Sequence, residues 1–193
     1  MPPPNASSPT ESAADEAPAR PPPPPKALGQ AIESSRGEST KRVMWVVRGF
    51  DEKAGWLEAQ PTLAKTSGTW GERMATAVSH ALDARRVDSQ VIPKDTTPAQ
   101  MQVLYDKGLQ YLCEGTLSTV TTAAGNGTLR VSYRLKRRVN DDTRTVQART
   151  IEASAPVKTL DDASMQRLVD AVAEKIADAV VADVPADLLA IRG

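Results

Sequence analysis

Polar and apolar positions change their spacing several times along this chain, and those changes mark out its elements. Lys41–Arg48 carries Val43, Met44, Trp45, Val46 and Val47 in an unbroken run. β-Formers without alternation predict a central strand covered on both faces. From Asp51 to Ser67 no period holds, so a long loop with one helical turn is predicted around Trp56, Leu57 and Pro61. A helical period then sets in. Trp70, Met74, Val78, Ala81 and Leu82 share one stripe of a helix that ends near Arg85-Arg86,. Thr69-Trp70-Gly71-Glu72 opens it with the spacing of a capping box, in which a hydroxyl and a carboxylate each take an orphaned backbone N–H,. Val87–Ile92 predicts a second strand, stopped by Pro93.

The second half begins with another start signal, Thr97-Pro98-Ala99-Gln100: a Thr cap, Pro at the first helical position and Gln at the third,. Met101, Leu104 and Tyr105 form the predicted buried stripe of this short helix, and Gly108 its left-handed stop,. Leu109–Val120 is a third strand, and Ala124-Gly125-Asn126-Gly127 a turn,. Leu129, Val131, Tyr133 and Leu135 then alternate with Arg130, Ser132, Arg134 and Lys136, which predicts a strand with one dry and one wet face,. Asn140-Asp141-Asp142 turns the chain into a fifth strand, Arg144–Ala153, broken by Pro156,. A long helix from about Leu160 to Val181 buries Met165, Leu168, Val169, Val172, Ile176, Ala179 and Val180. Asp187–Ile191 could add a final amphipathic turn. The order β-α-β-α-β-β-β-α predicts an α+β domain. Its mixed, mainly antiparallel sheet of about five strands is packed by three helices on one side.

Composition adds a second part. Ten of the fifteen prolines fall in the first 26 residues, and Leu28 and Ile32 are the only large aliphatics after Met1 before Thr40. Such a segment cannot bury enough surface to offset its ordering entropy. Residues 1–40 are therefore expected to be a disordered Pro-rich linker, 41–184 the domain and 185–193 a tail. Pro21–Pro25 followed by Lys26 reads as an extended spacer, with a ligand for an SH3-type domain as the alternative,.

The catalytic inventory is thin. With one cysteine, Cys113, and one histidine, His80, no disulfide, Cys-based zinc site or nucleophile-base pair is expected,. His80 lies about 200° round the helix from Val78 and faces solvent. Cys113, in mid-strand, reads as a small hydrophobe. Asp141-Asp142 is turn chemistry, and Gly125-Asn126-Gly127 lacks the Lys-Ser/Thr and helix of a phosphate loop,. No enzyme, cofactor or metal is expected. The net charge of zero conceals one local excess. Between Thr128 and Thr150, seven basic residues face only Asp141 and Asp142. Arg130, Arg134, Lys136 and Arg138 share one strand face and are the candidate binding residues, for an acidic protein or an anionic lipid surface. The bland alternative is a solvated face that keeps the sheet from aggregating. No aromatic residue is interleaved there, which disfavours nucleic acid. The loop around Trp56 is the next candidate.

Lys107–Leu117 carries a further pattern, with Gly108, Tyr111, Gly115 and Leu117 spaced as Gly, Tyr, Gly and hydrophobic along one strand. It resembles the corresponding strand of a bacterial envelope superfamily. Members are the TolB amino-terminal domain, the curli-secretion lipoprotein and the lipoprotein activators of penicillin-binding proteins. The resemblance implies that the Gly ends a helix, the strand enters the sheet and an antiparallel partner follows. It also implies a non-enzymatic component that binds or assembles other envelope proteins. A homo-oligomer is a separate expectation, which no residue pattern here decides. The opening strand lacks the Pro-Phe that often follows in that family, and the hairpin is unusually basic. The long terminal helix also suits the auxiliary lipoproteins of lipid-transporting ABC systems. No stretch approaches the roughly 20 apolar residues of a membrane span, and no signal peptide is visible. The expected location is periplasmic, with outer-membrane anchoring. The alternative is a cytoplasmic adaptor that grips an anionic ligand through the basic hairpin.

Overall fold

The unbroken apolar run becomes β1 (Met44–Arg48), whose side chains divide between two apolar clusters. Trp45 and Val47 enter the main core, where Trp45 stacks on Tyr111 with ring centroids 4.2 Å apart. Val46 enters a smaller cluster with Ile92, Leu109 and Leu112. Alternate residues in two cores explain why the run does not alternate. The computed structural model describes residues 44–140 and 142–184. The predicted tether, proline run and C-terminal turn lie outside the described residues.

β1 runs parallel to β3 (Ser89–Ile92) on one side and to β4 (Leu109–Ala123) on the other. Parallel neighbours need long crossovers, supplied here by α1 (Trp70–Ala84) and α2 (Pro98–Asp106),. β5 (Asn126–Val139) and β6 (Asp142–Pro156) then add antiparallel, giving the order β3-β1-β4-β5-β6. The β4–β5 turn is two residues, Ala124 and Gly125, with φ of 50° and 76°. Paired positive φ values match the twist of a tight hairpin. α3 (Asp162–Asp183) closes the fold. The result is α+β, with a mixed, mainly antiparallel sheet and three helices. One strand was not foreseen: β2 (Asp51–Glu52), from the predicted loop, pairs parallel with Thr116–Leu117 of β4.

α1 and α3 cover one sheet face, burying Trp70, Met74, Val78 and Leu82 from the first and Met165, Leu168, Val172 and Ile176 from the second. Arg85 ties them, reaching Glu174 and Asp178 of α3 at 2.7 Å each. The expectation of helices on one side fails for α2. It lies on the opposite face, where Met101, Leu104 and Tyr105 pack against the Val46 cluster. None of the three is fully buried, because α2 covers only the β3-β1-β4 end of that face and water reaches its flanks. Among the described residues, nothing covers the rest of that face.

The two predicted helix starts fare differently. At α2, Thr97 N donates to Gln100 Oε1 (2.8 Å) and Gln100 N to Thr97 Oγ1 (3.3 Å). Gly108 follows at φ 99°. At α1 the box does not form. Thr69 is already helical in backbone (φ −106°, ψ −19°) and its hydroxyl donates to the Thr66 carbonyl. Glu72 accepts instead from Lys94 N at 3.1 Å. Another carboxylate has taken the amides at the start of α1.

Candidate functional site

Along the open face the strands are in register as rows. Glu114 of β4, Arg134 of β5 and Ala148 of β6 make one row, and Thr116, Ser132 and Thr150 the next. Small and hydroxylic side chains leave a depression of about 480 Å³ there, with Arg48 and Asp51 at the β1 end. Ser132 and Thr150 hydroxyls bond each other at 3.0 Å. Glu114 stands opposite Arg134, yet its two oxygens serve other cations: Oε1 meets Lys136 at 2.5 Å and Oε2 faces Arg48 at 3.7 Å. Arg48 Nε also donates to the Lys94 carbonyl.

The four basic candidates lie on this face but do not make one site. Arg130 is paired with Glu152 across the hairpin. Lys136 belongs to Glu114. Arg138 lies over the Tyr105 ring of α2, 5.0 Å from its centroid, and donates to the Asn140 carbonyl. With Arg137, Asp106 and Asn140 it lines a separate depression beside the end of α2. Among the described residues, Arg134 alone of the four has no side-chain partner. The local charge excess read from the sequence is largely neutralised. Glu114, Glu152 and Asp183, which pairs with Arg149 on the helix-covered side, all lie outside the Thr128–Thr150 stretch. Trp56 does not belong to the open face: it is 6 % exposed, within the main core.

Trp56 serves a structural arrangement that sequence reasoning missed. In an open α/β sheet, ligands bind at the carboxyl ends of parallel strands where successive crossovers take opposite faces, and a helix N-terminus there favours anions. Strands β3-β1-β4, with α1 and α2 on opposite faces, make such a point beyond Arg48. The chain fills it. Phe50 is buried there and its N–H bonds the Gly71 carbonyl at 3.1 Å. A Cβ at Gly71 would overlap the Phe50 carbonyl oxygen. The Glu52 carboxylate caps α1, accepting from Gly68 N (2.7 Å), Gly71 N (3.1 Å), Trp56 Nε1 (3.1 Å) and Ser67 Oγ (3.4 Å). An internal carboxylate thus holds the place an anionic ligand takes in related topologies.

Cys113 is buried in β4, and burial followed by the Glu114 charge pushes its thiol up to about 12. Thiols react as thiolates, so this one is inert at neutral pH. His80 is exposed on α1. Among the described residues, no three His, Cys, Asp or Glu are placed to share a metal, and no helix is long and apolar enough to cross a membrane.

No protein-family model matches the sequence, and no curated protein does. Solved structures with a similar backbone arrangement include the PelC dodecamer of Paraburkholderia phytofirmans. It is 10 % identical at a TM-score of 0.49, over 71 % of this chain and 87 % of that one. Protein XCC0632 of Xanthomonas campestris is 13 % identical at 0.44, over 75 % and 86 %. Lipoprotein GNA1162 of Neisseria meningitidis is 14 % identical at 0.36, over 70 % and 99 %. Of these three, the Neisseria protein is a lipoprotein by name. Similarity at this level carries no function from them to this chain.

Proposed function

We propose that the chain is a non-enzymatic binding or assembly component of the bacterial cell envelope, and that it meets an anionic partner on the open sheet face at Arg134. One observation carries the second half: an exposed arginine without a side-chain partner among the described residues, in a polar depression where every neighbouring cation is engaged. The Glu52 plug supports the absence of a small anionic ligand at the end of β1. The placement of Gly108 at the end of α2, Tyr111 and Leu117 within β4, and β5 antiparallel after it supports the resemblance to the TolB and curli-secretion group. In this reading residues 1–40 are a spacer that holds the domain off its anchor in the periplasm, and other envelope proteins are the partners.

The pairing pattern chooses the variant. Removing Lys136 or Arg130 would break an ion pair with Glu114 or Glu152, whereas Arg134→Gln disturbs none. That variant is expected to melt with the parent and to bind envelope proteins in a pull-down about tenfold more weakly, with parent binding falling steeply as salt is added. Vesicles of anionic phospholipid and a single-stranded oligonucleotide, run beside the extract, separate the ligand classes. Binding unchanged by Arg134→Gln, or indifferent to salt, would sink the reading.

A further inference from the structure

Among the described residues β6 is the last strand of the sheet, and it is exposed along most of its length. Its pairing shows which backbone groups are free. Val157 N bonds the Gly125 carbonyl at 2.8 Å, so odd-numbered positions face β5. Glu152, at an even position, turns its carbonyl outward, where Lys175 Nζ of α3 takes it at 2.7 Å. Backbone direction alternates along an antiparallel strand, so Thr150 and Ala148 also point their N–H and C=O groups away from the sheet. Beyond Gln147 the register slips. Leu135 pairs with Gln147 and Lys136 with Thr145, which leaves Val146 as a bulged residue, 52 % exposed. Bulges and lysines are devices that close sheet edges. Here they stand at the two ends of a short run and leave its middle open.

That open run adjoins the unpartnered cation. Arg134 is in register with Ala148, and Ala148 has no side chain beyond Cβ to screen it from a strand added outside β6. An added strand would lie about 4.8 Å beyond β6. Its residue opposite Ala148 would share the open face with Arg134, and a carboxylate there would be its missing partner. The row beside it, with Ser132 bonded to Thr150, offers only hydroxyls. We propose that β6 between Val146 and Glu152 takes a short extended segment of an acidic partner protein as an added strand, with one carboxylate of that segment on Arg134. The role of Arg134 rests on the function proposed above.

Fluorescence anisotropy with a labelled synthetic peptide, Thr and Val alternating around one central Glu, tests this. The parent is expected to bind it, and to bind the Lys-centred counterpart about tenfold more weakly. Ala148→Pro removes an outward N–H and spares every bond to β5, a position where edge strands accept proline. That variant should melt near the parent and lose the Glu peptide. Hydrogen exchange on the parent needs no variant: the Ala148 and Thr150 amides should slow when the peptide is bound. Binding that survives Ala148→Pro without slowing at those amides, yet falls in Arg134→Gln, overturns the added strand and leaves the anionic face standing. Binding indifferent to both changes removes the face as well. A parent that does not bind the peptide overturns the proposal. So does a dimer of the parent that Ala148→Pro dissolves, which would assign the edge to a second copy of this chain.

Discussion

Gly115→Val is expected to destabilise the domain by about 3 kcal/mol, although valine is the better strand residue. Gly115 is in register with Tyr133, and its missing side chain would point into the main core. A Cβ there would come within 2.5 Å of the Ser132 carbonyl oxygen and closer still to the Phe50 ring. Neither neighbour has room to yield. Ser132 is backbone of the adjoining strand, and Phe50 is wholly buried under the start of α1. Intrinsic strand preference spans only about 1 kcal/mol, less than the cost of prising a strand pair apart. At about 2–4 °C per kcal/mol for a chain of this size, circular dichroism should show a fall of about 10 °C in Tm. A variant that melted with the parent would mean that β4 and β5 separate cheaply at this point.

Glu52→Ala is expected to cost about 2–4 kcal/mol, because it deprives several donors at once. Trp56 Nε1 would be left in the core without an acceptor, and the first amides of α1 would lose the negative charge that complements the helix dipole,. Water can replace the carboxylate at the exposed Gly68 and Ser67 groups, which sets the lower end of the range. Glu52→Gln keeps an acceptor without the charge and should recover part of the loss. Added phosphate should raise the Tm of Glu52→Ala more than that of the parent, since the vacated helix end then takes the anion. Equal Tm values for parent and Ala variant, with equal responses to phosphate, would show that the carboxylate does not hold α1.

Residues that act on near neighbours announced themselves in the sequence. Thr97-Pro98-Ala99-Gln100 starts a helix with the Thr cap its residues predict, because all partners lie within one turn. The alternation from Leu129 to Lys136 gave the two faces of β5 for the same reason. What the sequence concealed lies across the fold. Thr69 and Glu72 have the spacing of a box, but Glu52 arrives from β2 with a full charge and takes the amides first. The basic stretch looked unpaired because Glu114 and Glu152 meet it only through sheet register. Trp56 looked available in a loop without period, yet that loop turns Trp56, Leu57 and Leu63 into the main core. Arg134 was visible as a charge; that it alone of the four lacked a partner was not.

The sheet also has two histories written into its connections. β4, β5 and β6 meet across short turns, whereas Val47 finds Cys113 only after two further strands and two α-helices have intervened. Loop closure grows costlier with the length of chain enclosed, so near pairings assemble sooner. The meander is expected to be formed at the folding barrier, with β1 and β3 docking on its downhill side. Leu129→Ala should then slow refolding, while Val47→Ala should chiefly hasten unfolding. Stopped-flow chevrons with those two effects reversed would refute that order. Until β1 arrives, the far side of β4 is itself an open edge. The most vulnerable moment of this chain's life is thus the interval before its first strand joins the sheet that its last strands have built.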